Sequence, residues 1–387
     1  MKTFLIRSAF SLIIGGLLFF GVVPPLIDNH YNHLTGVDLP EVSEARQLQH
    51  QKVFVADLHA DSLLWGRDLT RAYSRGMVDV PRLLQGNVAL QAFSVVTQTP
   101  RGLNYEHNGN DTDSIFWLGL TQAWPPRALG SLMERALYQA DRLQETALAS
   151  KGKLRIITRQ TELRSYLDDR EHDPQLTAGW LTLEGAHALE GQLENLERLK
   201  EAGFRMMAPT HFFDTELAGS AHGLQKGGLT PLGRDWVRKM EAESLIIDLA
   251  HASSQTIDEV LALHTRPLMV SHTGVKGTCD NNRNLSDAHL QAIAATGGLI
   301  GIGFWETAVC GRDVAAIVRA IQYAVAKVGY RSVALGSDWD GAVLTPIDAS
   351  QTDQLTAALL EAGMSIDEVS AIMGGNVRDF LLLNLPE

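Results

Sequence analysis

The sequence predicts an α/β protein in which parallel strands alternate with helices, as in a (β/α)8 barrel of the TIM type. Short apolar segments recur along the 387 residues, and helical patterns separate most of them. This alternation implies parallel strands. Segments such as LIIDL and GLIGIGF are apolar throughout, which is typical of strands buried on both faces. A doubly wound open sheet would also explain the alternation, but not the potential metal ligands at the ends of so many strands.

The chain divides into an N-terminal apolar segment at residues 1–27, a polar connector at residues 28–50 and a barrel domain at residues 51–387. One long excursion, at about residues 98–178, is predicted to be an insertion over the barrel rather than a second domain. It contains a helical pattern, GSLMERALYQADRLQETALAS, and a short strand, LRIIT.

The N-terminal segment has the features of a membrane anchor. Residues 8–27 carry no charge and follow Lys2 and Arg7, so about 20 apolar residues would cross the bilayer with the amino terminus in the cytoplasm. The catalytic domain would then be exported, to the periplasm or the cell exterior. Pro24 and Pro25 shorten the apolar helix, so a cleaved signal peptide and a secreted protein stay open, although no small-x-small cleavage site follows the apolar stretch.

Eight barrel strands are predicted, near residues 53–58, 88–96, 180–184, 205–210, 245–250, 267–271, 298–303 and 332–337. Helical patterns lie between them, among them LENLERLKEAG, TPLGRDWVRKMEAES, SQTIDEVLALHT, SDAHLQAIAATG and DVAAIVRAIQYAVAKVG. After the last strand, Ser365 and Glu368 have the spacing of a capping box and predict a final helical region.

Charge and cysteine content exclude some classes of function. A net charge of −12 and a pI near 5.5 argue against a nucleic-acid partner. With only Cys279 and Cys310, neither a disulfide-rich scaffold nor a cysteine zinc finger can form. Export would favour a disulfide between these two cysteines, and two unrelated buried thiols are the alternative.

Two potential metal ligands end the first strand. His59 and Asp61 have i, i+2 spacing, which places both side chains on the same face of a strand. An imidazole and a carboxylate at the carboxyl end of a buried strand form half of a metal site in a barrel hydrolase.

Further polar residues end later strands and complete a site for two metal ions. Glu184 ends the third strand, and its two oxygens could bridge two cations. His251 and His272 end the fifth and sixth strands and offer neutral imidazoles. One zinc ion would be held by His59, Asp61 and Glu184, and the other by Glu184, His251 and His272, with a hydroxide shared between them.

The chain resembles the membrane dipeptidase, or renal dipeptidase, family of zinc peptidases over roughly residues 50–385. The segments that carry this resemblance are ADLHAD, LEGAH, THFFD, GLTPLGR, IDLAHAS, SHTGVKGTCDNNRN, LGSDWDG and GGN. The resemblance implies a (β/α)8 barrel, the five ligands above and a binuclear zinc site bridged by Glu184. The chain departs from the vertebrate members of the family after His211, where FFDTELAGSAHG replaces a loop bearing Asn and Trp, and this departure concerns side-chain specificity.

The same resemblance implies three further roles. His211 would polarise the scissile carbonyl, and Arg283 would bind the terminal carboxylate of the substrate. Asp338 would transfer the proton. The spacing alone places Asp338 and Asp340 on one face, so which of the two handles the proton stays open.

The sequence also suggests residues that support the ligands. Asp57 and Asp248 precede ligand histidines and are candidates to orient them. His222, in a glycine-rich loop, is the one other histidine expected to approach the substrate. The remaining histidines, His187, His264 and His289 among them, are expected at the surface or in the core.

The expected function is therefore a membrane-anchored zinc dipeptidase, and L,D-dipeptides lie within the substrates that the resemblance allows. One alternative is a barrel amidohydrolase acting on a non-peptide amide or lactam, which would not need Arg283. Another is a barrel that binds ligands without catalysis. The sequence leaves open the preferred dipeptide, the native metal and whether two copies associate as a homodimer.

Overall fold

The computed structural model describes residues 15, 16 and 18–387, and its main sheet is parallel. The strands are β1 His33–Leu34, β2 Val55–Ala60, β3 Val88–Val96, β4 Leu154–Ile156, β5 Thr177–Glu184, β6 Phe204–Met207, β7 Ile246–Ile247, β8 Met269–Thr273, β9 Leu299–Ile302, β10 Val333–Leu335 and β11 Leu344–Thr345. Each of the eight predicted barrel strands overlaps one of these, namely β2, β3, β5, β6, β7, β8, β9 and β10.

The helices alternate with these strands. They are α1 Val23–Tyr31, α2 Glu44–His50, α3 Val80–Gln85, α4 Ser114–Thr121, α5 Pro126–Gly130, α6 Leu132–Ala149, α7 Gln160–His172, α8 Asn195–Glu201, α9 Pro231–Ala242, α10 Ser254–Leu263, α11 Asp287–Ala295, α12 Glu306–Val309, α13 Val314–Val328, α14 Thr352–Glu361, α15 Ile366–Ser370 and α16 Asn376–Asn384. Short 3-10 helices lie at Ser62–Leu64, Ala186–Leu189 and Tyr330–Ser332, and a π-type turn lies at Ala371–Gly375.

The strand order shows that the sheet is curled. Hydrogen-bonded neighbours run β7-β6-β5-β3-β2-β10-β9-β8, and every pairing is parallel. An isolated parallel bridge between Asp248 and Met269 joins the segment after β7 to β8, so the two ends of this order meet. The sheet thus curls as in a TIM-type barrel, and the carboxyl ends of its strands face the same side.

Both faces of the strands are buried, which explains their continuously apolar sequence. In β5, Ala178 and Trp180 belong to one buried cluster, which also contains Phe380 of α16. Leu181 and Leu183 belong to a second cluster, which includes residues of the surrounding helices such as Trp236 of α9. Burial on both faces favours apolar side chains at successive positions rather than at alternate ones.

Helix starts follow local sequence signals. Ser253, Ser286 and Asp313 precede α10, α11 and α13, and each side chain accepts a hydrogen bond from a backbone N–H of the first turn. The predicted capping box of Ser365 and Glu368 is present at the start of α15. The helical pattern predicted between the second and third barrel strands corresponds to α6, and LRIIT to β4, which pairs with the start of β5. The assignment of residues 98–178 as an insertion stays a prediction.

The N-terminal region packs against the barrel from α1 onward. β1 pairs in parallel with β11, which follows the last barrel strand. Lys2, Arg7 and, from the uncharged stretch at residues 8–27, residues 8–14 and 17 lie outside the described residues. Among the residues that the structure does describe, no helix is both long and apolar enough to cross a membrane.

Cys279 and Cys310 form a disulfide, with their Cα atoms 5.3 Å apart. It ties the segment after β8 to the end of α12. The sequence left open a disulfide or two unrelated buried thiols, and the second alternative is wrong.

Candidate metal centre

The residues predicted to carry the chemistry converge on the carboxyl side of the barrel. Glu184 is the last residue of β5, His59 and His272 lie near the ends of β2 and β8, and Asp61 directly follows β2. The others lie in the loops beyond β6, β7, β8 and β10, and they are His211, His251, Arg283 and Asp338. All eight are buried. Parallel strands bring residues that are distant in sequence to the same edge of the sheet, which is why this site could be predicted.

Glu184 is at the centre of this group. Its Oε1 atom lies 2.9 Å from His251 Nε2, 3.2 Å from His272 Nε2 and 3.6 Å from His59 Nε2. Its Oε2 atom lies 3.4 Å from His211 Nε2. One carboxylate therefore faces four imidazoles, three through Oε1 and one through Oε2.

Three overlapping sets of potential ligand atoms occur among the described residues. They are His59, Glu184 and His272; Glu184, His211 and His251; and His59, Asp61 and Asp338. These sets contain the five predicted metal ligands, and also His211 and Asp338, which were expected to act on substrate. The sequence suggested one triad with His59 and a second with His251 and His272. The observed sets differ, because His272 lies beside His59, and His211 lies beside His251. The His59 and His272 rings stack with centroids 3.7 Å apart.

A serine orients two of the imidazoles. Ser271 Oγ lies 2.8 Å from His272 Nδ1 and 3.5 Å from His59 Nδ1, so the Nε2 atom of each ring is left to face Glu184. A partner on one ring nitrogen sets the tautomer and orientation of a ligand histidine. Sequence reasoning missed Ser271, although it directly precedes His272.

The two aspartates proposed to orient ligand rings instead bind backbone N–H groups and, for Asp57, the side chain of Gln91 as well. Asp57 accepts hydrogen bonds from the Ser337 backbone N–H at 2.7 Å and from Gln91 Nε2 at 2.6 Å. Asp248 accepts from the backbone N–H groups of Ser271 and Ala250. Both aspartates therefore tie neighbouring strands together beneath the site rather than contacting an imidazole ring.

Asp338 and Asp340 do not share an environment, contrary to the i, i+2 argument. Asp338 lines the cavity, with Oδ1 3.9 Å from His59 Nε2. Asp340 is fully buried, 2.7 Å from Arg67 Nη2, and accepts a hydrogen bond from Ser62 Oγ at 2.6 Å. β10 has ended at Leu335, and both aspartates have φ values near the left-handed region, 62° and 64°. Side-chain alternation applies to extended backbone only.

Burial and neighbouring charges shift the protonation of the site. Burial disfavours the charged imidazole of His59, but the carboxylates of Glu184 and Asp61 outweigh this and hold its pKa well above 6.5. Burial, reinforced by the charge of Arg283, holds the pKa of His251 well below that value. Burial also raises the pKa of Asp338 well above its ordinary range, although the charge of His59 opposes this rise.

Arg283 extends from the loop after β8 into the same space. Its Nη2 donates a hydrogen bond to the His272 carbonyl at 2.8 Å, and its guanidinium carbon lies 5.3 Å from the Trp305 ring centroid. The Nε atom of this buried side chain has no hydrogen-bond partner among the described residues. The guanidinium thus retains a free donor beside the histidines, as a site for a carboxylate requires.

Two more histidines lie next to the site. His222 hydrogen-bonds to the Tyr105 carbonyl at 2.8 Å and stacks on Phe212, and burial lowers its pKa to about 3. His187 lies 3.0 Å from Thr97 Oγ1, and burial lowers its pKa to about 3 as well. His187 fits the expectation of a core residue. Sequence reasoning did not single out Phe212, although it follows His211 in THFFD, and it did not find Tyr105, which no motif marks.

The site opens into a cavity of about 620 Å³. Its polar end contains Glu184, His211, His251, His272, Arg283 and Asp338, and Tyr105 and Trp305 lie in its wall. The rest of the lining is mostly apolar, and α4 and the 3-10 helix Ser62–Leu64 contribute part of it. The cavity has the size of a small-molecule site.

The residues present fit a bound metal ion. His59 Nε2 and Asp61 Oδ1 are buried without a hydrogen-bond partner among the residues that the structure describes. The Nε2 atoms of His251 and His272 face each other at 3.1 Å. Buried acceptor atoms turned toward one another are stabilised by a cation between them, and imidazole nitrogen with carboxylate oxygen is a donor set that borderline divalent metals accept.

Comparison with known proteins supports this interpretation. Residues 42–379 match the family model described as membrane dipeptidase, peptidase family M19. The chain is 32% identical to the dipeptidase aclJ of Aspergillus oryzae over 351 residues, which cover 84% of this chain and 77% of that protein.

Solved structures have the same fold. The dipeptidase AC, a metallo peptidase of family M19, superposes with a TM-score of 0.73 at 23% identity, over 87% of this chain and 99% of that one. A metallo peptidase from Rhodobacter sphaeroides, liganded with a phosphinate mimic of the dipeptide L-Ala-D-Ala, superposes with a TM-score of 0.71 at 23% identity, over 86% of this chain and 99% of that one.

Proposed function

This chain belongs to the membrane dipeptidase family, peptidase family M19, and is a metallo-dipeptidase; we propose that it works with two zinc ions and accepts L,D-dipeptides. The observation that carries the proposal is the position of Glu184, a buried carboxylate whose Oε1 lies within 3.6 Å of the Nε2 atoms of His59, His251 and His272. The proposal extends to L,D-dipeptides because the Rhodobacter sphaeroides structure of the same fold holds a mimic of L-Ala-D-Ala.

Five residues would hold the two ions: His59, Asp61, Glu184, His251 and His272. Glu184 would be shared, because its Oε1 lies within 3.6 Å of the Nε2 atoms of three of these residues. Ser271 would keep the Nε2 atoms of His59 and His272 directed inward. When bound, the two zinc ions would supply Lewis acidity and would lower the pKa of the attacking water.

Arg283 would bind the free carboxylate of the dipeptide. Its guanidinium is buried beside His251 and stacked near Trp305, and its Nε donor is unpaired among the described residues. A carboxylate would satisfy that donor in a charge-assisted hydrogen bond. This contact would orient the substrate so that its peptide bond lies over the histidines.

His211 and Asp338 would act on the peptide bond itself. His211 is buried with a pKa well below its ordinary value, so its imidazole is neutral and can donate one hydrogen bond to the scissile carbonyl. Asp338 lines the cavity 3.9 Å from His59 Nε2, and the cations proposed here would favour its carboxylate form, which can accept a proton. It would accept a proton from the attacking water and give it to the leaving amine.

We propose further that the N-terminal segment before α1, which begins at Val23, anchors the protein in a membrane and that the catalytic domain is exported. Support comes from the uncharged sequence at residues 8–27 and the cations Lys2 and Arg7 before it. A reporter enzyme fused after residue 40 should be active only outside the cytoplasm. Reporter activity inside the cytoplasm would contradict the proposed topology.

Metal content and hydrolysis test the main proposal together. Full-length protein prepared without chelator should contain close to two zinc ions per chain and should hydrolyse dipeptides from a panel of L,L and L,D pairs. His251→Ala should lower the zinc content and abolish turnover. His289→Ala is the matched control, since His289 pairs with Asp258 at the surface. This variant should retain both ions. Full dipeptidase activity in protein that contains no metal would refute the mechanism.

A further inference from the structure

One wall of the active-site cavity comes from a segment that precedes the family match. Helix α1 lies before residue 42, yet its Ile27 and Tyr31 line the same cavity as Asp338 and His251. Ile27 and Tyr31 have i, i+4 spacing, so both lie on one face of α1. The helix that follows the apolar N-terminal stretch is therefore part of the substrate cavity.

A buried ion-pair cluster holds α1 in this position. Asp28 of α1 lies 3.2 Å from Arg67 Nε and 3.0 Å from Arg75 Nε. Arg67 in turn lies 2.7 Å from Asp340, two residues beyond Asp338. Asp28, Arg67 and Asp340 are all buried. The loop that carries Asp338 and the helix that lines the cavity thus share one charged anchor.

Backbone contacts attach the end of α1 to the same loop. Asn32 Oδ1 accepts a hydrogen bond from the Ala342 N–H at 3.0 Å, and Ala342 also lines the cavity. After α1, His33 and Leu34 pair with Leu344 and Thr345 of β11. The segment from α1 to β1 is therefore fastened at its helix and at its strand.

The part of the cavity that α1 completes is apolar. Ile27 packs against a buried cluster that contains Leu64, Trp65, Ile115 and Leu118. These four residues also line the cavity. Substrate binding against such a wall is favourable because it removes an apolar side chain of the substrate from water.

We propose that Ile27 and Tyr31 form a specificity wall that selects dipeptides bearing a large apolar side chain, and that Asp28 is the positioning residue for this wall. The proposal rests on the proposed dipeptidase function. It assigns the substrate preference of this chain to a helix outside the part that matches the family. The metal ligands and Arg283 act on groups that all dipeptides share, whereas the specificity wall acts on the side chain.

Removal of the specificity wall should change selectivity rather than general activity. The variant Ile27→Ala/Tyr31→Ala would be compared with wild type on alanyl-alanine, alanyl-phenylalanine and phenylalanyl-alanine. For the phenylalanine dipeptide that wild type prefers, kcat/KM should fall about 10-fold or more, mainly through KM, while alanyl-alanine changes less than about 3-fold. Leu26→Ala is the matched control, because Leu26 is on the same helix and 63% exposed. It should leave all three values unchanged.

Asp28→Asn tests the anchor separately. It should raise KM for the same phenylalanine dipeptide with little change in kcat, and zinc content should stay as in wild type. The specificity wall would be overturned if kcat/KM of Ile27→Ala/Tyr31→Ala fell equally for all three substrates, or did not fall at all.

The same variants can be tested without turnover, which keeps the proposal separate from the dipeptidase function. In calorimetric titrations with non-hydrolysable phosphinate mimics of the three dipeptides, wild type should bind the mimic of alanyl-phenylalanine or phenylalanyl-alanine more tightly than Ile27→Ala/Tyr31→Ala, and both should bind the alanyl-alanine mimic alike. Absence of hydrolysis in wild type would count against the proposed function alone. Equal affinities of wild type and the double variant for both phenylalanine dipeptides would overturn the specificity wall.

Discussion

Asp338 and Asp340 are two residues apart, yet Asp338 lines the active-site cavity while Asp340 is fully buried 2.7 Å from Arg67. The left-handed backbone at both residues separates their side chains. The two carboxylates therefore have different roles, although they are close in sequence. Asp338 is the carboxylate at the cavity, where we propose that it moves a proton, and Asp340 holds the loop.

Replacement of Asp338 should affect the chemical step. Asp338→Asn should lower kcat by about 10²–10⁴-fold on any dipeptide, the range for loss of a group that transfers a proton. Steady-state kinetics with a metal assay would check this, because zinc content should remain near the wild-type value. A kcat within a few-fold of wild type would exclude Asp338 as the proton carrier.

Replacement of Asp340 should affect stability instead. Asp340→Asn removes one of two carboxylates from the buried guanidinium of Arg67, and the other, from Asp28, stays. We expect a loss of about 3 kcal/mol in the free energy of unfolding, the lower end for breaking one partner of a buried pair. Denaturant unfolding would measure it. The matched variant Asp235→Asn, in an exposed pair with Arg238, should change stability by less than about 1 kcal/mol.

Arg283→Ala tests the carboxylate contact. If Arg283 binds the free carboxylate, its removal should weaken kcat/KM for dipeptides by about 2–5 kcal/mol, with the metals still bound. An amidated dipeptide should be poor for wild type by a similar amount but little worse for the variant, since both changes remove one contact. Equal hydrolysis of free and amidated dipeptides by wild type would favour a broader amidohydrolase.

Ser271→Ala tests the orientation of the proposed ligands. Loss of the 2.8 Å contact to His272 Nδ1 frees that ring to rotate, and metal affinity should fall about 10–100-fold. Competition with a chelator of known affinity would measure the change. Ser94→Ala is the control, because Ser94 is also a buried strand serine and its hydroxyl has no partner among the described residues. An unchanged metal affinity in Ser271→Ala would show that Ser271 does not position the ring.

His50 should make stability depend on pH. Its ring nitrogens lie 2.8 Å from Thr356 Oγ1 and 3.1 Å from the Gly86 carbonyl, and burial lowers its pKa below 6.5. Below pH 6.5 the unfolded chain takes up a proton that the folded chain does not. Stability should therefore fall as pH drops from 6.5 toward the folded pKa, by up to about 1.4 kcal/mol per pH unit from this group.

Unfolding curves between pH 8 and pH 5 would test this pH dependence. The variant His50→Gln should lose stability less steeply than wild type over that range. His172→Gln, at an exposed histidine of α7, should keep the wild-type slope. A wild-type slope in His50→Gln would show that another group is responsible.

The sequence by itself determined the barrel strands and the residues gathered at their carboxyl ends. Strands such as β5 are apolar at successive positions because both faces are buried, and this pattern is local. Because the carboxyl ends of parallel strands share an edge of the sheet, His59, Glu184 and His272 come together independently of the loop conformations. The metal centre could be predicted for that reason.

Only the tertiary structure decided which side chains face the cavity where the backbone leaves the strands. The period of two fails at Asp338 and Asp340, because their left-handed backbone redirects each side chain. Contacts across long sequence separations have no local signal either. The pairing of Cys279 with Cys310, the contact of Ser271 with two rings and the burial of Arg67 between Asp28 and Asp340 depend on how distant segments pack.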